Sequence, residues 1–99
     1  MLVHTVFFYL KPEVTEVQRA DFFIGVQILA QIPGVQAAYF GRPAGVPDRP
    51  VIEKGYAVAL TALFVDVAAH NAYQVHPTHL AFIERYRDLW AKVQVFDSE

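Results

Sequence analysis

Ninety-nine residues supply one domain's worth of chain, and 55% of them are apolar. A chain this short buries only about 60 to 70% of its unfolded surface when it folds alone, so part of that apolar surplus is expected at an interface. The absence of cysteine excludes a disulfide framework and a thiolate metal site, and a net charge of −2 with scattered Lys and Arg argues against a nucleic-acid footprint or a basic membrane face.

Leu2 to Leu10 is apolar at almost every position and stops at Lys11-Pro12, which predicts a first strand covered on both faces. No basic stretch or cleavage site precedes it and no apolar run reaches spanning length, so a cytoplasmic location is expected. Thr15 with Gln18 three residues on is a capping-box signature. Val17, Ala20, Phe23, Val26, Leu29 and Ala30 then recur at helical spacing as far as Pro33-Gly34, with Gln27 and Gln31 on the water side. Val35 to Arg42 reads as a second strand, residues 42–54 as a proline-rich loop, and Gly55 to Phe64 as a third strand. Asp66 is a predicted N-cap for a short helix through Gln74; Pro77 interrupts it, and Thr78 to about Trp90 continues as a second helical piece before a fourth strand from Lys92 to Asp97.

The order β-α-β-β-α-β predicts one ferredoxin-like α+β domain over residues 1–99, with an antiparallel sheet whose first and third strands lie at the centre. Helices cover one sheet face. On the first strand Val3, Phe7 and Tyr9 oppose Leu2, Val6 and Phe8, so apolar side chains line both faces, and the uncovered one should meet the same face of a second copy in a dimeric α/β barrel. Which face that is, the alternation alone leaves open.

Tyr73-Gln74-Val75-His76-Pro77-Thr78-His79 is the one concentrated set of proton-carrying side chains. His79 shares a helical stripe with Phe82, Ile83, Tyr86 and Trp90, which turns its imidazole toward the core. The proline break lets Tyr73 approach it, and His4 lies on the Leu2, Val6, Phe8 face of the first strand. If that face is the helix-covered one, His4, Tyr73 and His79 converge on a pocket lined by Phe23, Val26, Leu29, Val58 and Phe82. A buried neutral imidazole beside a phenol suits proton abstraction next to a carbonyl. Against this stands the plainer reading, in which His79 is a core histidine bonded to backbone and Tyr73 a core aromatic. His76, just before Pro77, fits an N-cap. A metal site on His76 and His79 would need a third ligand from His70, His4 or a distant carboxylate and matches no zincin motif, so no metal is expected. No Gly-rich phosphate loop opens a helix, so no cofactor is expected either.

Through His4, the Tyr73-x-x-His76-Pro77-x-His79 segment and the closing Val95-Phe96-Asp97, the chain resembles the stress-responsive dimeric α/β barrel (Dabb) family over nearly its whole length. Within that family it is similar to a plant polyketide cyclase at Thr15-Glu16-x-Gln18, Phe22-Phe23, Ile32-Pro33, Gly55-Tyr56, Tyr86-Arg87, Trp90-x-Lys92 and Phe96-Asp97. The resemblance implies a homodimer performing a cofactor-independent intramolecular aldol condensation of a poly-β-ketone, a polyketide cyclase or lyase with His79 as base, Tyr73 assisting at the enolate and His4 in the pocket. Val26 and Val58 depart from it, standing where the cyclase has a tyrosine and a histidine. That loss of polarity favours the alternative of a non-catalytic stress-responsive barrel binding a small apolar ligand; a cofactor-free oxygenase is a third option that no residue specifically supports.

Overall fold

Period-two burial builds the sheet. In the computed structural model, which describes residues 1–99, strand β1 (Leu2–Leu10) buries Leu2, His4, Val6 and Phe8 and leaves Val3, Thr5, Phe7 and Tyr9 half-buried, as alternating side chains on a pleated strand require. Strand β3 (Val58–Phe64) repeats the pattern with Val58, Leu60, Ala62 and Phe64 inward. The antiparallel register sets Val6 opposite Leu60 and Phe8 opposite Val58, so the two buried rows lie side by side. Strands β2 (Ala37–Gly41) and β4 (Trp90–Ser98) complete an antiparallel sheet in the order β2-β3-β1-β4. This is the ferredoxin-like α+β arrangement, with β1 and β3 central as expected. The third strand starts three residues later than its sequence suggests. Gly55 donates its backbone N–H to the Glu53 carboxylate at 2.7 Å, and regular pairing resumes only beyond Ala57.

Helix α1 (Glu16–Gly25) starts at the expected capping box: the Gln18 N–H donates to Thr15 Oγ1 at 3.2 Å and the Thr15 N–H to Gln18 Oε1 at 2.9 Å. Its buried face differs from the predicted stripe. Phe22, Val26 and Leu29 face the core, whereas Val17 is 80% exposed, Ala20 and Ala30 are exposed and Phe23 is half-buried. Phe22, Val26 and Leu29 keep the i, i+4, i+7 spacing of an α-helical stripe, and a change of pitch extends it. From Val26 to Gln31 the chain is a 3₁₀ helix, and at three residues per turn Val26, Leu29 and Ile32 stack on one line. Phe22, one α-turn before Val26, joins that line.

Asp66 caps α2 (Val67–Gln74), accepting from the Ala69 N–H at 2.8 Å. His76 caps α3 (Pro77–Tyr86): its Nδ1 accepts the Thr78 N–H at 3.1 Å, and Pro77 occupies the first turn, where no donor is needed. The second helical piece ends earlier than predicted, in a 3₁₀ turn at Arg87–Leu89, and Trp90 opens β4.

All helices lie on the Leu2, His4, Val6, Phe8 side, which settles the face left open above. Phe8, Phe22, Phe82, Tyr86 and Trp90 form the core between the layers, with Phe8–Phe22 and Phe22–Tyr86 ring centroids 5.3 and 5.2 Å apart. The molecule is a slab of 35 × 30 × 18 Å, two layers thick, and its second sheet face is bare. There Phe7, Tyr56 and Phe96 cluster, and Tyr39 and Phe96 are 68% and 56% exposed. No helix is long and apolar enough to cross a membrane.

Candidate active site

Strand β4 decides where the site opens. Its register pairs His4 with Asp97, Val6 with Val95 and Phe8 with Val93, so Val93, Val95 and Asp97 point toward the helical side of the sheet. Yet Val93 and Val95 remain 39% and 48% exposed. No helix roofs this edge strand, and the gap between it and α2–α3 is the mouth of a cavity of about 170 Å³.

The cavity wall is apolar, formed chiefly by Val6, Phe8, Leu29, Leu60, Phe82 and Ile83, and His4, Tyr73, Gln74 and His79 are its proton-carrying side chains. The break between α2 and α3 brings Tyr73 against His79, ring centroids 4.8 Å apart and edge to face, and His4 lies on the far side of Tyr73 at 5.8 Å. The three predicted residues therefore converge on one hollow. Leu29 and Phe82 line it as expected. Phe23, Val26 and Val58 do not: Val26 and Val58 are sealed in the core at 0% and 2% exposure, and Phe23 is turned to an outer groove where the Arg42 guanidinium stacks on its ring at 3.7 Å. Phe22, one α-turn before Val26, takes the inward position, and Phe23 lies to its side.

Burial shapes the chemistry. Tyr73 is wholly buried and its hydroxyl has no hydrogen-bond partner within the chain; the same holds for His79 Nδ1. A polar group buried without a partner costs about 1 to 3 kcal/mol; the Tyr86 hydroxyl and Trp90 Nε1 are buried unpartnered as well, and what sets Tyr73 Oη and His79 Nδ1 apart is that their rings adjoin at the cavity. Desolvation lowers the His79 pKa below its ordinary 6.5, assisted by the nearby His4 and His70 imidazoles, and leaves a neutral base at neutral pH. Desolvation also raises the Tyr73 pKa, keeping the phenol protonated as a donor. His4 is lowered too, by desolvation that outweighs its bond to Asp97.

Residues that the motif reading did not bring into the pocket complete the picture. Asp97 Oδ1 lies 2.5 Å from His4 Nδ1, and His70, on the helical face shared with Tyr73 and Gln74, lies 3.9 Å from Asp97 Oδ2 through its Nε2. The alternation of Val93, Val95 and Asp97 held the signal for Asp97: a period of two puts a carboxylate on the inner face of the closing strand. His76 has the N-cap role expected of it, its Nδ1 accepting from the Thr78 N–H. A wider groove between the 3₁₀ segment and α3 is lined by Gln27, Gln31 and Arg85 but brings together no base and donor.

A four-stranded antiparallel sheet with helices on one face and an apolar hollow between the layers define a ferredoxin-like α+β protein. The sequence profile of the stress-responsive A/B barrel domain matches residues 2–99, and the chain belongs to this Dabb family. It is 30% identical over 95 residues to olivetolic acid cyclase of Cannabis sativa, covering 95% of this chain and 91% of that one. Among solved structures it is similar to a Dabb family protein with a ferredoxin-like fold from Mesorhizobium loti (29% identity, TM-score 0.79, 99% and 94% of the two chains). It is also similar to a dimeric ferredoxin-like protein of unknown function from a Jannaschia species (26% identity, TM-score 0.71, 99% and 97%).

Proposed function

We propose that the protein is a cofactor-independent cyclase-like enzyme. In this reading neutral His79 removes a proton beside a carbonyl of a poly-β-ketone, the Tyr73 hydroxyl donates to the enolate oxygen that develops, and the carbanion attacks a second carbonyl of the same chain to close a ring. The proton taken by His79 returns to the new alkoxide. The observation that carries the reading is the pair of buried, unpartnered polar atoms, Tyr73 Oη and His79 Nδ1, on adjoining rings at the cavity. Such a pair is costly in a structural core and suited to a site whose partners arrive with the substrate. The similarity to a polyketide cyclase supports the substrate class.

Linear tri- and tetraketide thioesters and β-keto acids are the substrates to offer. His79→Ala should lower turnover by about 10² to 10⁴, the usual weight of a positioned base, and Tyr73→Phe by about 10² to 10³, that of one oxyanion donor. Unchanged rates in both would remove the reading.

A second reading, a barrel that holds a small apolar ligand without reacting, is favoured by the mostly apolar wall of the cavity. Recovery of an unreacted ligand with the native protein would support it; a cyclised product supports catalysis. Under either reading we propose that the single domain works as a homodimer through its bare sheet face, as suggested by the exposed aromatic cluster on that face and by the dimeric Jannaschia relative.

A further inference from the structure

His4 on β1, His70 on α2 and Asp97 on β4 come from three separate elements, yet each offers a ligand atom within 4.8 Å of the other two. His4 and His70 are 2% and 9% exposed and their rings lie 4.7 Å apart. Two imidazoles and one carboxylate form a donor set that suits zinc, cobalt or nickel, and three protein ligands leave at least one coordination position for water or a ligand. In tetrahedral coordination at about 2.1 Å, ligand atoms stand about 3.4 Å apart. The 2.5 Å between His4 Nδ1 and Asp97 Oδ1 must therefore open by about 0.9 Å, the 3.9 Å between His70 Nε2 and Asp97 Oδ2 must close, and His70 Nε2 must give up its 3.1 Å contact with the Gln74 side-chain amide. The half-exposed Asp97 carboxylate, on the edge strand, is the member free to make the first two adjustments.

We propose that His4, His70 and Asp97 bind a divalent transition metal ion. This goes beyond the cyclase reading, which uses none of its ligands as base or donor. An ion there would have a structural consequence that follows from the topology. Strand β4 is hydrogen-bonded only to β1, at the edge of the sheet, and the ion would tie its C-terminal end to helix α2. The tie would lie next to the cavity, since its ligand His4 lines the wall and stands edge to face with Tyr73.

The test uses the full chain without an affinity tag, stripped with chelator. Co²⁺ titration should give visible absorption of a four-coordinate site saturating at one ion per chain, and calorimetry with Zn²⁺ the same stoichiometry. His70→Ala and Asp97→Asn should each weaken binding at least about ten-fold, the low end for loss of a ligand or its support. His79→Ala should leave binding unchanged, so failure of this inference and failure of the cyclase reading are told apart. Because a variant can fail to fold, ¹⁵N shifts of the histidine rings in the native chain provide a second measurement: Zn²⁺ should move the His4 and His70 resonances and spare His76. No binding up to millimolar metal, equal binding in both ligand variants, or shifts confined to His76 or His79 would each overturn the inference.

Discussion

The Tyr73 hydroxyl is where function and stability part company. In the folded chain it is buried with no partner, while in the unfolded chain water satisfies it, so deleting it removes a desolvation cost and little else. Tyr73→Phe is therefore expected to raise unfolding free energy by about 1 to 3 kcal/mol, measured as a higher urea midpoint at unchanged slope, in the same variant that loses turnover. A lower midpoint would mean that the hydroxyl has a structural partner and that the plain core reading is right. Helical spacing turned His79 inward and the proline break let Tyr73 approach it, and the two rings do adjoin. Asp97 and His70 were harder to read. Their meeting with His4 depends on the register between the first and last strands, ninety-three residues apart at His4 and Asp97, which local pattern does not encode.

Among the elements, helix starts and their caps were legible because they are local chemistry: Thr15 with Gln18, Asp66, and His76 before Pro77 all act where the sequence puts them. The face of the first helix was legible only in part: Val26 and Leu29 are inward as their spacing suggests, but Phe22 and Phe23 both lie one turn before Val26 and spacing does not choose between them, and the switch to a 3₁₀ segment at Val26 shows in no spacing rule. Gly25 marks that switch. A Cβ there would stand 1.8 Å from the Tyr86 hydroxyl oxygen, and the buried Tyr86 ring, packed on Phe22 and Phe82, has little room to withdraw. Gly25→Ala should therefore cost about 1 to 3 kcal/mol by overpacking despite alanine's better helix propensity, and Tyr86→Phe should restore part of it. Thermal denaturation of the single and double variants checks this; a stabilised Gly25→Ala chain would show that the ring yields freely.

At the scale of the molecule, the alternation within β1 and β3 disclosed a two-layer slab with one helix-covered face, and the apolar surplus found its place on the other. Placing a charge in that face, as in Phe96→Lys, should leave the monomer folded, since the ring is 56% exposed. It should also weaken self-association at least ten-fold, equivalent to about 1.4 kcal/mol. Sedimentation at micromolar concentration checks it, and a native chain that is already monomeric would contradict the dimer. In the proposed reaction, sheet floor, helical roof and open edge strand surround one proton transfer to His79. The most direct measurement is solvent deuterium uptake at the α-carbon of a short β-keto thioester, which needs no knowledge of the final product. The native chain should catalyse uptake at neutral pH, and, because the imidazole pKa is held below 6.5, continue to do so at pH 6.5 before losing activity in more acid solution as the base protonates; His79→Ala should not catalyse it. Equal uptake with and without the imidazole, or none with either, would contradict the account.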